Sequence, residues 1–251
     1  MNAGYNILPA VYDRWQSTYG RSFSEMVFPR LLAALRAHRV PVTSMVDVAC
    51  GTGTLAVLMA RRGWEVYGID ASEGMIARAS AKAVAMRAPG AVFLQQDMRS
   101  FRLPRQVGLA TSFFDSLNHL LTHDDLLAAY RCVRETLVPG GWFVFDLNNE
   151  QCYTQLWTRS DSVTHDEFTM TLENSYDRKE RVATSHVTVQ MKEGNGEQRT
   201  TETVRERFYP LEEVRALLVE AGFSVRESRD FNFTHNPGMG KVKTWFVAER
   251  E

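Results

Sequence analysis

Between Ser44 and Leu147, short apolar runs alternate with segments of helical pattern, and this order restricts the chain to few folds. Ser44–Val48 (SMVDV) is apolar, ends at a glycine-rich turn and reads as a strand. Thr54–Arg62 reads as a helix closed by Gly63, and Glu65–Asp70 as a second strand. Ser72–Met86 is Ala-rich, with Ser72 placed to cap a helix ahead of Glu73. Ala91–Gln95 and Val107–Phe113 read as third and fourth strands, Asp124–Leu137 as a helix, Pro139-Gly140-Gly141 as a turn and Trp142–Leu147 as a fifth strand. Strands alternating with helices imply βαβ units and a mostly parallel sheet. Ligands of such sheets bind beyond the carboxyl ends of the strands, near the switch in strand order. Here those ends carry Cys50–Gly53, Asp70, Gln96–Asp97 and Phe113–Asn118.

The flanks differ. Residues 1–40 read as helical, with Phe28, Leu31, Leu32 and Leu35 at helical spacing and Pro41 as a stop. Phe168–Glu173, Ala183–Met191 and Thr200–Phe208 alternate and are rich in Thr and Val, with turn signals between them, so two or three antiparallel strands follow strand five. The α/β pattern then resumes: a helix over Leu211–Ala221, then strands over Ser224–Asp230 and Lys243–Glu249. The expected division is 1–40 helical, 41–150 core, 151–210 β insertion and 211–251 closing elements of the core.

Among its 251 residues, lysine and arginine nearly balance the acids, for a net charge of -1. No overall field draws the chain to nucleic acid or to an anionic membrane, so neither is an expected partner. The N-terminal segment lacks the apolar run of a signal peptide, and no stretch has the roughly 18 apolar residues of a membrane span. Cys50, Cys132 and Cys152 are odd in number and widely spaced, which fits a reduced, cytoplasmic setting and gives no metal-ligand pattern.

Gly51-Thr52-Gly53-Thr54-Leu55-Ala56 satisfies the G-x-G-x-x-(G/A) pattern of a nucleotide-binding turn. Asp70, closing the second strand, stands where a carboxylate accepts both hydroxyls of a ribose. These features serve a nicotinamide dinucleotide and S-adenosylmethionine equally. Asp47 separates them. A carboxylate beside the turn repels a pyrophosphate but suits a ligand bearing a sulfonium and an ammonium.

Together these residues resemble the motifs of class I S-adenosylmethionine-dependent methyltransferases. VDVACGTG (Val46–Gly53) is similar to the first motif, with Ala49 where a glycine often stands. YGIDAS (Tyr67–Ser72) resembles the second, and implies Asp70 and Ala71 at the ribose with Met75 packing nearby. Gln96-Asp97-Met98 resembles the third-strand motif, implying Asp97 at the adenine amine and Met98 beside the ring. Phe113-Phe114-Asp115-Ser116-Leu117-Asn118 resembles the segment beside the methionine moiety, and Leu137–Leu147 the turn and fifth strand. The resemblance implies a Rossmann-like α/β sheet of seven strands, mostly parallel with the last antiparallel, carrying an antiparallel β insertion after strand five. It implies residues 41–150 as the S-adenosylmethionine-binding core and 1–40 as a lid. Implied cofactor contacts are Arg14, Asp47, Ala49, Gly51, Thr52, Gly53, Asp70, Ala71, Met75, Gln96, Asp97, Met98, Phe113, Phe114, Asp115 and Asn118. Tyr12, Asp13, Trp15 and Tyr19 resemble the aromatic lid of small-molecule N-methyltransferases, and the insertion resembles those acting on deoxysugar amines and glycine.

Methyl transfer needs an acceptor lone pair held about 3 Å from the methyl carbon and in line with the breaking bond, and placement alone supplies roughly 7–11 kcal/mol. The protein then needs no nucleophile and no metal, only a base where the acceptor arrives protonated. His119 is the candidate base, with Tyr12 and Tyr19 closing over the site and Arg14 pairing with the cofactor carboxylate. Trp157, His165, His186 and His235 are unranked candidates for the acceptor pocket. The expected partner is a small-molecule acceptor, more readily an amine than a hydroxyl, bound by a monomer or homodimer. The competing readings are an NAD-dependent oxidoreductase and a methyltransferase of RNA or protein.

Overall fold

The computed structural model describes residues 7–18, 20–193, 196–232 and 240–251. Two helices lead, α1 (Leu8–Ser17) and α2 (Phe23–Ala37). α2 opens on a capping box in which the Ser22 hydroxyl accepts the Glu25 amide and the Glu25 carboxylate accepts the Ser22 amide. The alternating region follows as β1 (Ser44–Val48), α3 (Thr54–Ala60), β2 (Glu65–Asp70), α4 (Glu73–Ala85), β3 (Ala91–Gln95), β4 (Val107–Ser112), a single 3-10 turn over Ser116–His119, α5 (His123–Thr136) and β5 (Leu137–Asn148). A short α6 (Glu150–Gln155) leads into β6 (Asp161–Thr164), β7 (Phe168–Asp177), β8 (Val182–Glu193) and β9 (Gly196–Arg207). α7 (Leu211–Glu220), β10 (Phe223–Phe231) and β11 (Lys243–Arg250) close the fold.

The main sheet has the order β10-β11-β5-β4-β1-β2-β3. β1 to β5 run parallel, and β11 pairs antiparallel with both β5 and β10. Strand order reverses between β1 and β4, so the carboxyl ends of β1, β2 and β4 open onto one crevice. Its two faces carry separate apolar layers. Leu126, Tyr130 and Val133 of α5 and Val214 and Leu218 of α7 cover one face. Val27 and Leu31 of α2 and Val57 and Met59 of α3 cover the other.

The expected seven-stranded sheet with an antiparallel last strand is present, with three differences in detail. β5 begins at Leu137, and Pro139-Gly140-Gly141 lies within it as an irregularity where the pairing with β4 shifts between Val107 and Leu109. Gly140 takes φ 72° there. The insertion has four strands in the order β6-β7-β8-β9, one more than the alternation suggested. α6 was not expected, because six residues are too few to show a helical period.

Alternation gives the insertion one apolar face. Phe168, Met170, Val187, Val189 and Val204 of that face are buried in one cluster with Leu8 and Val11 of α1 and with Met75 of α4. The small sheet is thereby seated over the crevice with α1 between it and the core. Among the described residues no helix is long and apolar enough to cross a membrane.

Candidate active site

The turn after β1 is built from left-handed backbone: Ala49 has φ 56°, Gly51 φ 54° and Gly53 φ 72°. Ala49 occupies a conformation that glycine adopts without strain, which is why its position in the motif often carries one. At Gly53 a side chain has no room, because a Cβ would lie 2.8 Å from both Ala79 Cβ and the Phe93 ring. Gly53→Ala should therefore destabilise the fold by about 2 kcal/mol or more, combining positive-φ strain with overpacking. Denaturant unfolding measures it, and an unchanged midpoint would refute the close approach.

Asp70 ends β2 and fixes the turn. Its Oδ2 accepts the Gly51 amide and its Oδ1 the Ser72 amide, each at 2.9 Å. Burial raises this carboxyl above its ordinary value, against the two amides that favour its charge. Asp47, inside β1 and 4% exposed, accepts the Thr111 hydroxyl at 2.7 Å. Burial pushes its carboxyl up to about 7. A cavity of about 40 Å³ opens here, lined among others by Asp47, Ala49, Gly51, Thr52, Phe113 and Tyr12.

α1 roofs this cavity. The Asp13 carboxylate accepts the Thr52 hydroxyl at 2.6 Å and pairs with Lys82 at 2.9 Å. The Lys82 ammonium also donates to Thr52 and Thr54 at 2.9 and 2.7 Å, so one cation on α4 ties α1 to the turn. On its other side α1 holds the insertion. The Arg14 guanidinium pairs with Glu167, Thr18 bonds His165 at 2.7 Å, and the Ile7 amide donates to Glu202 at 3.3 Å.

A second cavity of about 220 Å³ lies between α1, the insertion and the ends of β4, β5 and β11. Tyr12 and Phe114 line both cavities. Trp15, Trp157, Met170, Leu172, Val187 and Val204 supply much of its apolar wall. Its floor is charged. Lys243, 1% exposed, pairs with Asp146 at 2.7 Å and with Asp115 at 3.5 Å, and lies over the rings of Phe23 and Phe114 at 5.2 and 5.5 Å. Burial alone would lower its ammonium, but Asp115 and Asp146 outweigh that and hold it above its ordinary value. The Asn148 amide group donates to Asp115 at 2.6 Å and to Glu206 at 2.8 Å, and the Tyr153 hydroxyl donates to Glu206 at 2.9 Å. Burial, then Asp115, raise the Glu206 carboxyl well above its ordinary value. Phe114 and Asp115 both sit at positive φ, 62° and 55°, with the Phe114 amide donating to Asp146 at 2.6 Å. Strained non-glycine backbone persists where its surroundings over-determine it.

His119 lines the same cavity, its Nδ1 3.0 Å from the Arg205 carbonyl. A carbonyl only accepts, so Nδ1 carries the proton and Nε2 is the basic nitrogen. Burial lowers the imidazole below its ordinary value, which keeps the ring neutral near pH 7.

Several expected contacts are placed elsewhere. Arg14 is turned to Glu167 and lines neither cavity, so its expected pairing with the cofactor carboxylate is replaced by one with the insertion. Asn118 is fully buried, its amide nitrogen on the Arg207 carbonyl and its oxygen on the Asn148 amide, which makes it a stitch between strands. Gln96 is likewise spent on Arg102, to which it both donates and from which it accepts. Asp97 accepts three bonds from Arg99, leaving about one lone-pair direction of four for another donor. Met75 is buried among α1 and insertion side chains, and Met98 packs beside the core. Phe113 stacks on Trp245 with ring centroids 5.2 Å apart. Ala71 is exposed and its carbonyl accepts Gln95. Trp157 lines the larger cavity, whereas His165 stacks on Phe168 and His186 bonds Thr203. Tyr19 and His235 lie outside the described residues. Sequence reasoning did not single out Lys82, Asp146, Asn148, Tyr153, Glu206 or Lys243.

These residues fit S-adenosylmethionine. An ionised carboxylate offers about four lone-pair directions. Asp70 spends two on amides, leaving two for a ribose diol. Asp47 and the small cavity suit a cationic group, and the Gly51 backbone lies open beneath Tyr12, where a Cβ would stand 3.8 Å from the ring.

Comparison with known proteins agrees. Residues 45–141 match a family model described as a methyltransferase domain. YqeM of Bacillus subtilis (strain 168), provisionally named a methyltransferase, is 28% identical over 243 residues, covering 96% of this chain and 97% of its own. A dTDP-3-amino-3,4,6-trideoxy-alpha-D-glucopyranose N,N-dimethyltransferase of Streptomyces venezuelae is 32% identical over 164 residues, 62% of this chain and 64% of that protein. The crystal structure of an S-adenosylmethionine-dependent methyltransferase from Clostridium acetobutylicum ATCC 824 superposes with a TM-score of 0.80 at 21% identity over 98% of both chains. With motifs, strand order and site in agreement, the chain carries a methyltransferase domain over residues 45–141, in the fold of the S-adenosylmethionine-dependent methyltransferases.

Proposed function

We propose that this enzyme methylates an amine nitrogen of a small molecule held in the 220 Å³ cavity. One observation carries the reading: the cavity adjoins the glycine turn through the shared walls Tyr12 and Phe114, and two carboxyl groups, Asp115 and Glu206, line it beside Lys243. Asp115 and Asp146 pair with Lys243, and Glu206 accepts the Asn148 amide group that also bonds Asp115. Such a floor favours a cationic or basic nitrogen over a neutral hydroxyl, and the aromatic wall adds to that preference. The Streptomyces relative's N,N-dimethyltransferase name supports an amine.

When bound, S-adenosylmethionine supplies a methyl group activated by positive sulfur, so the chain's own residues need only place the acceptor and manage one proton. Asp70, the Gly51–Gly53 backbone and Asp47 would hold the cofactor. Tyr12 and Trp15 exclude water from above. Nε2 of His119 would take the proton that the nitrogen loses.

The test is methyl transfer, read as S-adenosylhomocysteine release, to a panel of small primary amines against the matching alcohols. Turnover of alcohols in preference to amines would overturn the reading. His119→Ala should lower kcat by about 100-fold while leaving cofactor affinity unchanged. Because burial lowers the imidazole, the acid limb of wild-type kcat should fall below about pH 6.5. A limb above the ordinary histidine range would remove His119 as the base.

A further inference from the structure

The cavity floor contains more acceptors than the protein itself satisfies. Asn148, 2% exposed, spends both amide hydrogens on Asp115 and Glu206, and its Oδ1 is buried with no hydrogen-bond partner among the described residues. That oxygen belongs to a side chain lining the cavity, next to the Glu206 carboxyl 2.8 Å from its nitrogen. An orphaned buried acceptor costs about 1–3 kcal/mol unless a ligand meets it. A donor with several N–H groups answers both.

We propose that Glu206 and the Asn148 amide oxygen form the receptor for the acceptor's ammonium, and that the acceptor is a small amine with a hydrocarbon body. This rests on the amine reading above and adds which residues select the substrate and what kind of body it has.

The groups around Glu206 set how it responds. Asp115 comes from the turn after β4, Asp146 from β5, Tyr153 from α6, His119 from the 3-10 turn and Lys243 from β11. Lys243 is committed to Asp146, so among the described residues the cluster has more acids than cations. Glu206 is 3% exposed and its carboxyl is raised by burial and by Asp115, so before an amine enters it holds its proton more readily than a free carboxyl group does. An entering ammonium replaces that proton. The carboxyl ionises, the proton leaves to solvent, and the ammonium–carboxylate pair stays.

The rest of the cavity describes the body. Trp15, Trp157, Met170, Leu172, Val187 and Val204 are not partners for a ring of hydroxyls. The 220 Å³ is the room of about seven waters at liquid density, enough for a cycloalkyl or aryl amine. A phosphate-bearing acceptor would place further anions beside Asp115 and Glu206, so any such group would have to remain outside.

Calorimetric titration of the enzyme saturated with S-adenosylhomocysteine tests this with three probes: cyclohexylamine, cyclohexanol and glucosamine. Cyclohexylamine should bind at least about tenfold tighter than either of the others. Run in two buffers of different ionisation enthalpy, its binding should release about one proton near neutral pH. Glu206→Gln should weaken cyclohexylamine about tenfold or more and abolish the proton release, with S-adenosylhomocysteine affinity unchanged. Unchanged affinity and unchanged release in Glu206→Gln overturn the role of Glu206 even if amines are methylated. Tighter binding of glucosamine overturns the hydrocarbon body alone. Cyclohexanol binding as well as cyclohexylamine overturns the amine reading itself. Should Glu206→Gln not fold, the wild-type proton release decides, and its absence rejects the receptor.

Discussion

Asp70→Asn should weaken S-adenosylmethionine binding about 100-fold. The carboxylate spends one lone pair of each oxygen on the Gly51 and Ser72 amides, which leaves two of about four for a ribose. A hydrogen bond to a charged group is worth about 1.5–3 kcal/mol. Losing charge at one atom that serves two hydroxyls removes on the order of 3 kcal/mol, and every 1.4 kcal/mol is about tenfold in affinity. The amide keeps the shape of the acid, but its nitrogen cannot accept either backbone amide, so the turn should also loosen modestly. Calorimetric titration with S-adenosylmethionine measures the first effect and thermal unfolding the second. Affinity within about threefold of wild type would remove Asp70 from the cofactor site.

Lys243→Met should cost about 3–5 kcal/mol of stability, because it leaves a buried carboxylate without its cation. Asp146 is fully buried and Asp115 lies on the same ammonium. For a chain of this length that corresponds to a melting temperature lower by roughly 10 °C or more. The sign of the pH dependence follows from Asp146, whose carboxyl burial already raises. Without Lys243 it binds its proton still more readily when folded than when unfolded. The deficit is then largest above its folded value and narrows as the pH falls. Adding Asp146→Leu to Lys243→Met should recover much of the loss, since removing both partners removes the uncompensated charge. Additive losses in the double variant would contradict the pairing.

The sheet and the cofactor turn were legible because they are local. Val46–Gly53 carries its strand, turn and helix start within a few residues, and Asp70 follows at the end of the next strand. The floor of the larger cavity was not. Asp146 and Lys243 lie in separate strands, and their pairing depends on the register that sets Lys243 against Asn148 and Trp245 against Asp146. Nothing in either segment alone specifies that register. On β9, Glu202, Val204 and Glu206 share one face by simple alternation, and both acids are buried. The pattern was there, yet which face turns inward depends on what the insertion packs against. Arg14, Gln96 and Asn118, expected at the cofactor, bond other protein groups for a related reason. Their positions were read correctly, but a long or amide side chain takes whichever partner is nearest in the fold, and those partners are Glu167, Arg102 and the Asn148 and Arg207 backbone.

α1 is fastened to the core through Asp13 and to the insertion through Arg14, and Tyr12 between them walls both cavities. Fixing one helix is therefore a cost shared by two ligands. Whichever arrives first meets the entropy of setting α1, and the second finds it set. The two affinities are thereby coupled, and the coupling is reciprocal: the factor by which bound cofactor tightens the acceptor equals the factor by which bound acceptor tightens the cofactor. Ten residues of helix thus couple donor and acceptor over and above the contact that the two make with each other.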